Sequence, residues 1–302
     1  MRWKSSCTRE NSFNTRKAMR SGMFITAMLL LYINALNAQR YSQTDTYKKT
    51  DQRDLNISFV YPDGWEKRMD WPVLVFFHGG GWIRGTIKQF DAYARYFADK
   101  GMVCALVEYR LKEKDGTDPF TALQDAKSAV RYIKSNASRY RIDPDRMVLS
   151  GSSAGGHLAA ACELVEDFND PGDDLSVSTR AAALVLIYPV VDNGPDGYGY
   201  GRIGTRYTRF SPYHQKKKGM ADALVILGTK DKLVPVKTAR EFCENIRQEG
   251  GHAELILYKG AGHGWFYENR PRGVFYLKAL NDMESFLQQR DFLSESFLSR
   301  RE

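Results

Sequence analysis

Cysteine and histidine are scarce, four and five in 302 residues, and their placement excludes more than their number does. Past residue 38 only Cys104, Cys162 and Cys243 remain, far apart and each inside an apolar or helical pattern. A disulfide scaffold needs denser cysteines. Free buried thiols are the expectation, with a single disulfide left open. The histidines, at 78, 157, 214, 252 and 263, show no metal-ligand spacing, so no metal and no other cofactor is expected. Internal repeats, low-complexity linkers and breaks in composition are absent after residue 38. With 43% hydrophobic content the simplest account is one domain over residues 39–302.

The apolar run near the N-terminus, residues 23–33, is too short to span a bilayer comfortably. Arg16, Lys17 and Arg20 precede it, and Asn34-Ala35-Leu36-Asn37-Ala38 follows. Charged, apolar, small-residue order predicts a secretion signal over residues 1–38, cleaved after Ala38. An uncleaved anchor is the alternative, and Met19 would start a signal of ordinary length. No cysteine follows the run, so neither a lipid anchor nor a stable membrane anchor is expected, and the product is expected to be secreted or periplasmic. The formal charge of +8 also gathers here. Residues 1–38 hold six basic residues and one acid, a net of +5 that leaves +3 for the rest. The basic balance therefore gives no reason to expect a nucleic-acid partner.

What the chain does contain is organised around Gly151-Ser152-Ser153-Ala154-Gly155. An apolar run stops at this pentapeptide and a helical pattern, 158–164, follows at once. Strand, sharp turn and helix form the context of a nucleophile elbow. The pentapeptide alone says little, since chance places one in roughly a tenth of chains this long. Its weight comes from the rest of the sequence.

Apolar runs at 72–77, 102–109, 181–190 and 221–227 read as strands of a sheet covered on both sides, and 253–258 reads as the last strand. The alternating segment 55–61 reads as an antiparallel strand at the sheet edge. Helical patterns fall at 90–100, 120–136, 236–249 and 273–289. This alternation predicts an α/β fold, a mostly parallel central sheet with helices on both faces. Ligands bind such sheets at the carboxyl ends of the strands. Four unusual groups fall there: the run His78-Gly79-Gly80-Gly81-Trp82, then Ser153, Asp231 and His263.

The chain order Ser, Asp, His is that of the α/β-hydrolases. Ser153 is a poor nucleophile until a base takes its proton. His263 is the expected base, and Asp231 would fix its tautomer and stabilise its cation. Asp192 also follows an apolar strand and competes with Asp231. Backbone N–H groups aimed at a developing oxyanion are worth about 3–4 kcal/mol each. Gly80, Gly81 and Ala154 are the expected donors, with Gly79 able to replace Gly80. His157 and His78 are expected to be structural, and Arg110 and Asp125 to pair beneath the site.

These motifs, together with Tyr109-Arg110-Leu111, Gln124-Asp125-Ala126, Gly228-Thr229-Lys230-Asp231 and Gly262-His263-Gly264, resemble the hormone-sensitive-lipase-like branch of the α/β-hydrolases. Within it the chain looks most like the BD-FAE-like bacterial esterases, which include acetyl-xylan and feruloyl esterases, over roughly residues 50–290. The resemblance implies a metal-free serine carboxylic ester hydrolase. It also departs from the branch, because only about forty residues separate the leader from His78 and leave no room for a large N-terminal cap. The segment 192–218 is the expected roof. It is rich in Gly, Tyr and Arg, and Tyr198, Tyr200 and Tyr207, with Trp82, are the expected substrate contacts. Residues 168–174 are a further candidate for the rim. Flat aromatics with polar neighbours suit a sugar or phenolic group better than a long acyl chain.

The substrate expected is a small ester or acylated oligosaccharide bearing short-chain acyl or aromatic groups. An amidase or peptidase is the alternative, because prolyl peptidases and arylformamidases use the same three residues. The former usually add a large second domain, and the latter are not usually exported. A binding protein on a dead hydrolase scaffold would have lost one of the three. A lipase would show a long apolar lid.

Overall fold

The computed structural model of the chain describes residues 43–265 and 273–293. The leader and its cleavage point lie outside them. Eight strands form one sheet: β1 (Gln43–Lys49), β2 (Asp54–Val60), β3 (Trp71–Phe77), β4 (Val103–Val107), β5 (Ile142–Ser152), β6 (Ala183–Ile187), β7 (Asp222–Gly228) and β8 (Ala253–Tyr258), in the order β1-β2-β4-β3-β5-β6-β7-β8. Only β1/β2 and β2/β4 pair antiparallel, and every other pairing is parallel.

The expected edge strand, 55–61, is β2, but it lies one place inside the edge. The edge is β1, Gln-Thr-Asp-Thr-Tyr-Lys-Lys, in which Tyr47 alone is buried. A strand with one apolar anchor gives no period-2 signal, which is why only the sheet reveals it. The exposed Lys49 suits an edge, where a charge opposes pairing with another chain.

All seven residues of β3 and all five of β4 and of β6 are buried. Successive side chains point to opposite faces, so both faces are covered. Each fully buried Val, Leu or Phe contributes about 1.5–3 kcal/mol before entropy is charged against it. The cover comes from α1 (Asp91–Asp99), α2 (Pro119–Ser135), α3 (Ala154–Leu164), α4 (Val236–Gln248) and α5 (Val274–Gln288). Helix α1 meets α5 through Tyr93 against Tyr276, at 5.0 Å between ring centroids, and through Lys100 Nζ to Glu284, 2.7 Å. Helix α2 begins where the sequence dictates: Asp118 accepts from Thr121 N at 2.8 Å, and Pro119 takes the first position, where no N–H is needed.

The topology places the site. From β3 the chain crosses to β4 on one side, then returns to β5 on the other. Loops leaving β3 and β5 therefore diverge, and a crevice opens between their carboxyl ends. The residues that follow these two ends are His78 and Ser153. The three cysteines among the described residues are buried and unpaired.

Candidate active site

Strand β5 ends at Ser152 and α3 begins at Ala154, so Ser153 alone makes the turn. Its backbone sits at φ 54°, ψ −117°. Such a conformation costs a non-glycine residue about 1–3 kcal/mol and persists only where its surroundings over-determine it. They do so here. Ser153 N donates to Ile187 O at 3.0 Å, and its carbonyl accepts from Val190 N at 3.0 Å and His157 N at 3.1 Å. The flanking glycines are steric necessities. A Cβ on Gly155 would lie 2.0 Å from Phe77 O, and one on Gly151 would lie 2.3 Å from the carbonyl carbon of Gly155.

Asp231 and His263 come from the loops after β7 and β8, and they meet at Ser153. His263 Nε2 lies 2.8 Å from Ser153 Oγ, and Nδ1 lies 2.8 Å from Asp231 Oδ2. The Asp231 side chain is fully buried, while His263 keeps 19% exposure on the cavity side. The other Asp231 oxygen accepts from Leu233 N at 2.8 Å and Val234 N at 2.9 Å. That clamp fixes the plane of the carboxylate and hence of the imidazole. Tyr188, at φ 36°, sets its ring edge-on to His263 at 4.6 Å. The competing Asp192 instead accepts from Gly194 N, 2.8 Å, within its own loop.

The glycine run sits opposite. Gly79 N donates to Gln89 Oε1 at 2.8 Å, so it is already committed and does not replace Gly80 as a free donor. Carbonyls along the run are held from behind. Gly79 O lies 2.8 Å from His78 Nδ1 and accepts from Gln89 Nε2 at 3.3 Å, and Gly80 O accepts from Ile83 N and Arg84 N. Each of these carbonyls belongs to the peptide unit whose N–H is on the next residue, Gly80 and Gly81 respectively. Those two N–H groups have no protein acceptor among the described residues. Ala154 N is in the first turn of α3, where no intrahelical acceptor exists. Gly80 and Gly81 take φ of 124° and 67°, values that favour glycine.

Ser153, His263 and the glycines share one cavity of about 610 Å³. Of the four residues expected to touch substrate, Tyr198 lines it and three do not. Trp82 is 1% exposed and is spent wedging the loop, edge-on to His157 at 5.1 Å and against Phe210 at 6.0 Å. Tyr200 and Tyr207 pack on each other, 5.9 Å between rings, away from the cavity. Residues 168–174 do not reach the rim either. They are held by Arg131, whose Nη2 donates to Asn169 Oδ1 at 2.7 Å and whose Nη1 lies 2.8 Å from Asp173, and by Lys48, 2.7 Å from Asp170. Gln89, Glu113, Tyr188 and Leu233 line the cavity without having been singled out by sequence. Gln89 carried no local signal; Tyr188, at the end of a strand beside the elbow, did. Beneath the site Arg110 grips the buried Asp125 through Nε and Nη2, both at 2.8 Å. Among the described residues no group of three His, Cys, Asp or Glu is placed to hold a metal ion.

Two buried histidines support this architecture and make it acid-sensitive. Burial pushes His78 down to about 4 against the pull of its Gly79 bond, and pushes His157, bonded to Phe210 O at 3.1 Å, down to about 3. Both are neutral in the folded protein at pH 7, which leaves His78 Nδ1 to donate to Gly79 O. Unfolded, each takes up a proton near the ordinary value of about 6.5. Their contribution to stability is therefore complete above that pH and is lost as pH falls towards 4 and 3. At pH 5 the loss is about 2 kcal/mol for each. Urea denaturation at pH 7 and pH 5 is expected to show the two losses together, about 4 kcal/mol. An unchanged midpoint would contradict it.

A mostly parallel sheet with a serine at the tip of a strand–turn–helix, and Asp and His on later strand ends, defines the α/β-hydrolase fold. The BD-FAE family model matches residues 60–193, and the prolyl oligopeptidase family model matches residues 194–290. The chain is similar to the esterase Est2 of the planctomycete Thermogutta terrifontis, 34% identical, with a TM-score of 0.80 over 84% of this chain and 94% of that one. It is also similar to Esterase LipC of Mycobacterium tuberculosis, 29% identical over 64% of this chain and 53% of that protein. With the isoprenylcysteine alpha-carbonyl methylesterase ICME of Arabidopsis thaliana it is 30% identical, over 70% of this chain and 57% of that protein. The chain spans about half the length of these curated relatives. It belongs to the α/β-hydrolases, as a relative of the BD-FAE-like esterases.

Proposed function

We propose that the protein is an exported serine esterase that removes short-chain acyl or aromatic acyl groups from carbohydrates. The observation that carries the reading is the unbroken hydrogen-bonded line from Asp231 through His263 to Ser153, facing free N–H donors across one cavity. In the first half-reaction His263 Nε2 takes the Ser153 proton as Oγ bonds to the ester carbon. The carbonyl electron pair moves onto oxygen, where Gly80, Gly81 and Ala154 N–H groups receive it. Asp231 stabilises the imidazolium without taking its proton. The ester C–O bond then breaks, and His263 returns the proton to the departing alcohol. Water, deprotonated by the same nitrogen, repeats the sequence on the acyl-enzyme and frees the acid and Ser153. Only protein groups are needed.

Short acyl groups are favoured by the Est2 relative, which has been solved in propionate-bound and butyrate-bound forms. Carbohydrate is favoured by the rim: Tyr198 offers a flat face, and Arg84 and Glu113 offer polar groups around it. Export rests on the leader. The prolyl oligopeptidase match over residues 194–290 favours a second reading, amide hydrolysis by the same residues. Acetylated and feruloylated xylan oligosaccharides, beside an arylformamide and a prolyl nitroanilide, separate the two. Release of acetate or ferulate is expected. Turnover of the amides alone would overturn the carbohydrate reading.

A further inference from the structure

The hydroxyl of Tyr198 is a polar group in the cavity that the fold does not use. A Cβ built on Gly81 would lie 2.7 Å from Tyr198 Oη, so the phenol tip fills the space where that glycine has no side chain. It shares the cavity with Ser153 and His263. Everything else about Tyr198 is held. Its N–H donates to Asp192 O at 3.1 Å, and its carbonyl accepts from Asn193 Nδ2 at 2.9 Å. Its ring packs against Trp82, 5.9 Å between centroids. Among the described residues the hydroxyl itself has no hydrogen-bond partner.

Arg202 explains how the ring is kept there. Its Nη1 donates to Gly81 O at 2.6 Å, and its guanidinium stands 5.3 Å from the Trp82 ring and 5.6 Å from the Tyr198 ring. One side chain thus ties the aperiodic segment after β6 to the glycine loop. A fixed ring with an unused O–H beside free backbone donors is a pre-organised dipole, and it needs no rearrangement when charge develops.

We propose that Tyr198 is a catalytic hydrogen-bond donor to the substrate carbonyl oxygen and that Arg202 is the residue that positions it. The proposal rests on the serine-esterase reading. When the Ser153 Oγ–carbon bond forms and the carbonyl pair moves onto oxygen, the Tyr198 proton stays on the phenol and its hydrogen bond shortens. As the alcohol leaves and the carbonyl re-forms, that bond relaxes. The proton given to the alcohol is the one His263 took from Ser153, so the balance of the reaction is unchanged.

The test is steady-state hydrolysis of nitrophenyl acetate by wild type, Tyr198→Phe, Arg202→Lys, Arg202→Met and Ser153→Ala, with melting temperatures for each. Tyr198→Phe removes one oxygen that has no hydrogen-bond partner among the described residues, so its Tm should match wild type. Its kcat is expected to fall roughly tenfold or more with KM unchanged. Arg202→Met should lose kcat in the same way, and Arg202→Lys should recover part of it. Three results would overturn the proposal: wild-type kcat in Tyr198→Phe, an effect on KM alone, or a Tm that falls along with kcat. Wild-type kcat in Arg202→Met would overturn the positioning role. A wild type inert towards every ester would remove the esterase reading itself, whereas an active wild type beside an unaffected Tyr198→Phe removes only this inference.

Discussion

Replacing Ser153 with alanine is expected to lower kcat towards small esters by a factor on the order of 10⁶. The substitution removes the oxygen that lies 2.8 Å from His263 Nε2. Activity should not vanish altogether. The N–H groups of Gly80, Gly81 and Ala154, the proposed oxyanion donors, are left in place, and such donors alone leave about 10³–10⁴ over the reaction in water. The fold should survive, because alanine meets the same backbone strain at φ 54° that serine already bears, and the bonds to Ile187 O and from Val190 N and His157 N all use main-chain atoms of residue 153. Initial rates at saturating substrate, with a melting curve beside them, measure both halves of the expectation. A variant with full activity would place the nucleophile elsewhere.

Asp231→Asn is expected to cost about 10⁴ in kcat, although it changes almost no volume. The reason lies in the clamp. Oδ1 accepts two backbone N–H groups, from Leu233 and Val234, so an asparagine must keep its carbonyl oxygen there. Its NH₂ group then replaces the carboxylate oxygen that faces His263 Nδ1. Offered a donor, Nδ1 becomes the acceptor and the ring proton moves to Nε2. Nε2 then presents a hydrogen to Ser153 instead of a lone pair, and the base is lost with its geometry intact. The loss should appear in kcat with little change in KM. A loss below about tenfold would mean that Asp231 serves the loop and not the imidazole.

The sequence made the architecture legible wherever burial is two-sided. Strands β3, β4, β6 and β7 are such apolar runs, whereas β8, at the other edge of the sheet, buries only Ala253 and Tyr258; the order of the strands sets the Ser, Asp and His at their carboxyl ends. Strand β1 escaped because a sheet edge faces solvent and needs only Tyr47 to anchor it. The choice between Asp192 and Asp231 was open from sequence and is closed by distance, since only Asp231 reaches His263. The cavity wall was the least readable part. Residues 192–218 carry no period, so which tyrosine lines the cavity depends on contacts made in space: Tyr198 does, beside Arg202, while Tyr200 and Tyr207 settle on each other. Trp82 illustrates the same limit, since a tryptophan after a glycine run reads equally well as a pocket wall or as a wedge. Gln89 was invisible for a related reason. Its two bonds to Gly79 join residues ten apart across a short loop, with no motif to mark them.

The central claim is that Ser153 is the nucleophile of a charge-assisted line. Its most direct test is covalent. The Est2 relative is phosphorylated by paraoxon. Paraoxon should likewise inactivate this protein, with one diethylphosphoryl group per chain, found by peptide mass mapping on the fragment that contains Ser153 and absent from Ser153→Ala. A protein that hydrolyses esters but takes up no label, or takes it up equally with Ser153 replaced, would contradict the account.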